Sequence, residues 1–185
     1  MTINERKKEL RKQVRLLKQK YSLFQMKEMS KDILEQLEQH ERFIKAQVIM
    51  MYWSMDDEVY THEFIKKWAN KKRMILPVVN GNELNLKEFI SLEEMIAGDK
   101  FGILEPNGNV LVEPKEIDLI IVPGVAFDVR GNRMGRGKAY YDKLLSISHA
   151  FKLGICFSFQ VFNEVPFDQL DVKMDDVLFN SHDAI

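Results

Sequence analysis

The sequence predicts an α/β protein, a three-layer α/β/α domain around a mostly parallel sheet, and three observations carry that expectation. Short apolar runs at 46–53, 74–79, 117–122 and 151–157 have the length and density of strands buried on both faces. Stretches with apolar residues at helical spacing precede them and lie between them. The densest of the apolar runs leads directly into a glycine-rich segment and a further helix. That is the order expected where a parallel sheet gathers ligands beyond the carboxyl ends of its strands.

Thr2-Ile3-Asn4-Glu5 reads as a capping box, with the Thr2 hydroxyl and the Glu5 carboxylate satisfying the first free amides of a helix. Leu10, Val14, Leu17 and Tyr21 form its apolar stripe, and the remaining surface is strongly basic. Ser22 with Gln25 starts a second helix whose buried stripe is Met26, Met29, Ile33 and Leu37. The run from Ala46 to Trp53 is the first strand. Thr61 is placed to cap a helix carrying Phe64, Ile65 and Trp68. Met74 to Val79 follows as a strand, and Pro77, which cannot donate to a ladder, marks its end or a bulge. Asn80-Gly81 is a tight-turn signal into Leu84–Phe89 and predicts a hairpin. From Ser91 to Glu116 a short helix and loops containing Pro106 and Pro114 are expected. Ile117 to Val122 is the clearest strand; a helix around Ala139–Ser148 and a strand at Phe151–Phe157 complete the series.

A length of 185 residues suits one domain covering 1–185. With 27 basic and 28 acidic residues the net charge is −1, so no global field draws the protein to nucleic acid or to an anionic membrane. Cys156 is the single cysteine, which excludes an intramolecular disulfide; its apolar neighbours suggest a buried, inert thiol. The first residues lack the apolar core of a secretory signal, Glu5 and Glu9 break a transit-peptide pattern, and no apolar stretch reaches bilayer length. A cytoplasmic, monomeric protein is expected. The histidines at 40, 62, 149 and 182 show no metal-ligand spacing.

Chemistry concentrates between Pro123 and Asp142. Four of the nine glycines fall there, at 124, 131, 135 and 137, interleaved with Arg133, Arg136 and Lys138, and the segment opens a helix. Exposed amides, a helix amino terminus and three cations make a receptor for a polyphosphate. Three like charges on one loop repel each other, which also argues for an anion. The Walker spacing fails, because five residues separate Gly131 from Gly137 and Ala139 follows the lysine. The dinucleotide fingerprint fails as well, with Tyr140 where a third glycine belongs.

The run from Gly131 through Asp142, preceded by Pro123-Gly124-Val125-Ala126-Phe127-Asp128, resembles the signature of the 5-formyltetrahydrofolate cyclo-ligases. Lys7-Lys8-Glu9-Leu10-Arg11, Ser54–Val59 and Asp171–Leu178 resemble, in the same order, that family's amino-terminal basic, folate-site and carboxyl-terminal acidic segments. Ala139 departs from the pattern, standing where the family usually has glycine. A methyl group there is tolerable if the residue is already helical. The resemblance also implies a fold related to sugar-phosphate isomerases and CoA transferases.

The implied activity is conversion of 5-formyltetrahydrofolate, with or without a polyglutamate tail, to 5,10-methenyltetrahydrofolate with ATP and magnesium. The match assigns Lys7, Arg11, Arg133, Met134, Gly135, Arg136, Gly137, Lys138, Ala139, Tyr140 and Tyr141 to ATP, with Arg136 and Lys138 nearest the transferred group. It assigns Asp142 and Asp171 to magnesium, and Trp53, Glu58, Arg136 and Tyr140 to folate. Read alone, Lys7 and Arg11 share a helix face that is equally a solvated basic surface, Asp142 is a helix-surface carboxylate, and Asp171 is a turn residue. Asp168, Asp175 and Asp176 offer competing registers for Asp171. Of Tyr140 and Tyr141, one is expected to face ligand and the other the core. Two other functions fit the same pattern: a non-catalytic reduced-folate-binding protein, and an isomerase- or transferase-like enzyme of the same fold.

Overall fold

A computed structural model describes residues 1–98, 102–108 and 110–181 of the chain. Two helices open it, α1 (Ile3–Lys18) and α2 (Leu23–Gln39), each behind a complete capping box. The Thr2 hydroxyl accepts from the Glu5 amide at 3.2 Å while the Glu5 carboxylate accepts from the Thr2 amide at 2.7 Å. A short helix α3 (Glu41–Lys45) leads into β1 (Val48–Met50), then α4 (His62–Trp68), and the hairpin of β2 (Arg73–Asn80) and β3 (Glu83–Glu88). A ribbon of β4 (Met95–Ala97) and β5 (Leu104–Pro106) follows. After β6 (Leu119–Val122) come β7 (Ala126–Asp128), β8 (Arg133–Met134), α5 (Tyr140–Ile147), β9 (Phe151–Cys156), β10 (Val161–Phe162) and β11 (Asp176–Phe179).

The main sheet has six strands in the order β11-β9-β6-β1-β2-β3, parallel throughout except for the edge strand β3. Strand periodicity explains why the apolar runs read as continuous. Ile49, Met51, Met74, Leu76, Leu119, Ile121, Leu153 and Ile155 face a layer built from α2, α3 and α4, where Met29, Ile33, Leu37, Phe43 and Ile65 are almost entirely buried. Their neighbours Met50, Ile75, Ile120, Val122 and Cys156 face the opposite side, against Leu144 and Leu145 of α5. That second layer is not all helix. It is completed by a three-stranded sheet, β10-β7-β8, on which Leu10 and Val14 of α1 rest through Ala126, Met134 and Val165.

Several expectations need correcting. Only Val48–Met50 of the run ending at Trp53 is ladder-paired, because β1 leaves the sheet to deliver the site loop that follows. Pro77 sits inside β2 and neither ends nor bulges it. β1 pairs β2 only as far as Ile75, so no neighbouring carbonyl on that side asks Pro77 for an amide. The stretch 91–116 contains the β4–β5 ribbon and not only a short helix and loops, and Pro106 lies in a strand. Part of the glycine-rich loop is the antiparallel β7–β8 pair, too short to leave a periodic signal. The hairpin at Asn80-Gly81 is present, with Gly81 at φ +59°. Cys156 is buried, and desolvation raises its thiol pKa well above the usual value, in keeping with inertness. No helix among the described residues is long and apolar enough to cross a membrane.

Thr61 precedes α4 but makes no side-chain cap. Its fully buried hydroxyl donates to the Tyr52 carbonyl at 2.6 Å and accepts from the Ser54 amide at 3.2 Å, tying α4 to the segment after β1. Thr61→Val keeps the shape and strands both backbone groups, so a loss of about 1–3 kcal/mol is expected from urea unfolding. An unchanged midpoint would show that Thr61 is merely a filler.

Candidate functional site

A cavity of ≈ 380 Å³ lies beyond the carboxyl ends of β1, β2 and β6, walled by α1, the loop after β1, the β2–β3 hairpin, β5, residues 133–142 and the turn 168–171. Every residue assigned a role by the sequence resemblance lines it: Lys7, Arg11, Trp53, Glu58, the unbroken run from Arg133 to Asp142, and Asp171.

The shape of that run is set by Asp128, which is fully buried. Its Oδ1 accepts from the amides of Arg130 and Asn132, both at 3.0 Å. Its Oδ2 accepts from the Asn132 side chain at 2.8 Å and the Val165 amide at 2.9 Å. Burial opposes the charge, but these donors outweigh it and hold the carboxyl below its ordinary pKa. Gly131 completes the turn at φ +81°, and a Cβ there would run into the Met174 carbonyl oxygen.

The turn sends Arg133 inward. Its guanidinium donates to Asp142 Oδ1 at 2.9 Å and to the Pro123 carbonyl at 3.1 Å, with a side chain only 3% exposed. Arg136 reaches across the cavity mouth to Asp57 at 2.6 Å and Glu58 at 3.2 Å. Asp57 in turn holds Lys18 of α1 at 2.9 Å. Burial would raise the Asp57 pKa, yet Lys18 and Arg136 together lower it. The repulsion argument for an anion is therefore weaker than the sequence suggests. Two of the three cations already have acidic partners, and Lys138, which is exposed, is the exception among the described residues.

α1 presents Lys7 and Arg11 from one face, as their spacing requires. Lys7 Nζ bridges Asp168 and Asp171 at 2.6 Å each, and Arg11 Nε donates to the Gly135 carbonyl at 3.0 Å. Desolvation pulls the Lys7 pKa down, but the two carboxylates more than restore it and leave it raised. Asp168 is held low, first by Lys7 and then by the Leu170 amide. Both Asp168 and Asp171 thus belong to the cavity, and Asp175 and Asp176 do not line it. Asp175 instead accepts from the Lys152 amide at 2.7 Å.

Glu58 has both oxygens engaged, Oε1 by Arg136 and Oε2 by the Met55 amide at 3.0 Å. Trp53 borders the cavity but stacks on His62, with ring centres 4.0 Å apart, and on Phe89, so much of its surface is core. Tyr140 and Tyr141 both border the cavity, and Tyr141 also packs against the core around Leu144 and Leu145. Tyr140 donates to the Gly81 carbonyl at 3.3 Å, and Tyr141 lies 5.7 Å beneath the Arg133 guanidinium. Met134 contributes backbone, its side chain lying with Leu10 and Val14. Sequence reasoning passed over Lys18, Asp57 and Asp128 as site-shaping residues. Asp57 and Asp128 lie inside the segments that resemble the family, but partners 39, 79 and 37 residues away, Lys18 to Asp57, Arg136 to Asp57 and Val165 to Asp128, leave no local signal of the pairing.

Ala139 is not helical. It caps α5 at φ 55°, ψ 12°, the one non-glycine residue at positive φ among those described. A left-handed alanine costs about 1–2 kcal/mol, and glycine returns roughly 0.4–1 kcal/mol of that through its freer unfolded chain. Ala139→Gly is therefore expected to stabilise by about 0.5–1 kcal/mol, read as a higher urea midpoint at unchanged slope. A lower midpoint would show that the methyl group makes compensating contacts.

Burial lowers the His62 pKa below 6.5, with the Ser54 carbonyl 2.9 Å away working against it. The unfolded chain thus takes up this proton first as pH falls. Stability should drop from about pH 6.5 down to the folded pKa, and His62→Phe should flatten that limb of the curve.

A model of the 5-formyltetrahydrofolate cyclo-ligase family matches residues 3–180. The 5-formyltetrahydrofolate cyclo-ligase of Mus musculus is 29% identical over 199 residues, covering 100% of this chain and 98% of its own. That of Escherichia coli K12 is 27% identical and covers 83% of this chain and 89% of its own. The solved 5,10-methenyltetrahydrofolate synthetase of Aquifex aeolicus superposes with a TM-score of 0.86 at 35% identity, covering 95% of this chain and 90% of that one. The fold alone is shared with the synthetase of Mycoplasma pneumoniae, TM-score 0.74 at 24% identity. Taken with the cavity and the motif run that lines it, these matches place the chain in the 5-formyltetrahydrofolate cyclo-ligase family.

Proposed function

We propose that the chain, working as one domain over residues 1–185, catalyses the ATP- and magnesium-dependent conversion of 5-formyltetrahydrofolate to 5,10-methenyltetrahydrofolate, ADP and phosphate. The observation that carries this is the meeting, in one cavity, of the family's central motif with Lys7, Arg11, Glu58 and Asp171 from three distant segments. Membership of a cyclo-ligase family supports the reaction class.

The chemistry explains the residue types. A formamide oxygen leaves too poorly for the second nitrogen to close the ring directly. In the proposed course the formyl oxygen attacks the terminal phosphorus and ADP departs. The second nitrogen then attacks the activated carbon and gives up its proton, and the carbon–oxygen bond breaks to release phosphate. Such a transfer asks the protein for alignment and charge neutralisation. Arg136 and Lys138 lie nearest the transferred group in this reading; Lys7, Arg11 and the backbone of residues 133–141 hold the rest of the polyphosphate. Glu58, Trp53, Arg136 and Tyr140 contact the folate.

The residues present fit magnesium. Asp142 and Asp171 are oxygen donors on the cavity wall, each now neutralised by a cation of the protein, Arg133 and Lys7. Two carboxylates, with no group of three metal-binding side chains among the described residues, suit an ion that keeps waters and takes phosphate oxygens as further ligands. When bound, it would neutralise charge on the phosphates. Ala139, which prompted a binding-only alternative, keeps the left-handed course that the loop requires, and no observation favours that alternative.

Methenyltetrahydrofolate formation, followed by absorbance, should need both ATP and magnesium; no product with both present would refute the proposal. Arg136→Ala should lower kcat by at least roughly a hundredfold, while Glu58→Ala should act mainly by weakening folate binding. Unchanged turnover in the arginine variant would dismiss its role beside the transferred phosphoryl group.

A further inference from the structure

The apolar end of the cavity contains a carboxyl group that the proposed chemistry leaves unused. Glu105, on β5, is 7% exposed and lines the cavity beside Pro77, Val79, Leu84 and Ile103. Its carboxyl lies against Gly98, the residue just after β4, where a Cβ would come within 2.6 Å of the Glu105 Cδ, so the glycine makes room for it. A single long contact, 3.4 Å from the Val79 amide to Oε1, is its hydrogen bond, and no cation pairs with it among the described residues. The other carboxylates of the cavity are committed: Asp142 to Arg133, Asp168 and Asp171 to Lys7, Glu58 to Arg136 and the Met55 amide. A buried carboxyl with one weak donor is costly unless a ligand supplies better ones.

We infer that Glu105 is a substrate-binding residue that accepts hydrogen bonds from the 2-amino and N3–H edge of the pterin. This rests on the folate reading of the site and sharpens it. Two adjacent N–H donors in a plane match the two oxygens of a carboxylate, and apolar walls suit the ring faces. The glutamate tail of the substrate is anionic and is repelled from this end, which orients the molecule with its ring inward. Glu58, already bound to Arg136, is then left beside the phosphate-binding run, where the formyl group must lie. An adenine ring would offer one exocyclic amino group and no ring N–H, a poorer match to two acceptor oxygens.

The test is calorimetry on the full chain with 5-formyltetrahydrofolate, with the same compound lacking the 2-amino group, and with a non-hydrolysable ATP analogue. Glu105→Gln should weaken binding of the parent folate by roughly tenfold to a hundredfold. The same substitution should cost the desamino compound no more than about threefold, because the lost partner is already missing. Affinity for the ATP analogue should stay within about twofold. An unaffected parent Kd, equal losses for both folates, or a loss confined to the ATP analogue would each overturn the inference. If the variant fails to fold, the wild-type protein alone decides: equal affinity for parent and desamino folate removes the role. Wild-type protein that binds no folate at all would defeat the functional reading together with this one, whereas tight wild-type binding with an indifferent Glu105→Gln defeats this one only.

Discussion

Asp128 is the fixed point on which the site depends. One buried carboxylate gathers the amides of Arg130, Asn132 and Val165 and the Asn132 side chain, and so joins the β7–β8 turn to the segment after β10. Every later residue of the run takes its direction from that turn. Arg133 goes inward beneath the cavity, Gly135 meets Arg11 through its carbonyl, and Arg136 extends across to the loop after β1. Losing one of four charge-assisted bonds in a buried cluster strands the others, which is why such clusters specify a single conformation.

Around that turn the cavity is electrically balanced. Lys7, Arg11, Arg133, Arg136 and Lys138 line it, and so do Glu58, Glu105, Asp142, Asp168 and Asp171. Four of the cations already hold an acidic partner or a carbonyl of the protein. A phosphate ester entering with a metal ion would exchange partners instead of meeting bare charge: cations would move to phosphate, and carboxylates to the metal. This spares the chain the heavy cost of buried, unpaired charges before ligand arrives.

Legibility followed the range of the interactions. The capping boxes at Thr2 and Ser22 were visible because all their parts lie within four residues, and β6 because its four residues are buried on both faces. The β4–β5 ribbon and β8 were not, since two or three paired residues leave no periodicity unless, as around β1, a longer apolar run surrounds them. The residues of the cavity were legible as a set through the resemblance, but their pairing was not. Nothing near Arg133 says that it turns toward Asp142, and nothing near Asp57 says that Lys18 and Arg136 converge on it from opposite sides. Thr61 looked like a cap because it stands where caps stand; tertiary demand from Tyr52 and Ser54 claimed its hydroxyl instead. At Ala139 the residue type was readable and the backbone conformation was not.

The bridge from Lys7 to Asp171 spans 164 residues of a chain of 185. Contacts of that sequence separation close late, because the loop entropy they cost must first be met by nearer pairings. Lys18, at the far end of α1, finds Asp57 only 39 residues on, but Lys7 meets its carboxylates only when the turn at 168–171 is in place. The first turns of α1 are thus held by contacts that form late, and the Lys7 wall of the cavity is completed only when the turn at 168–171 packs against it.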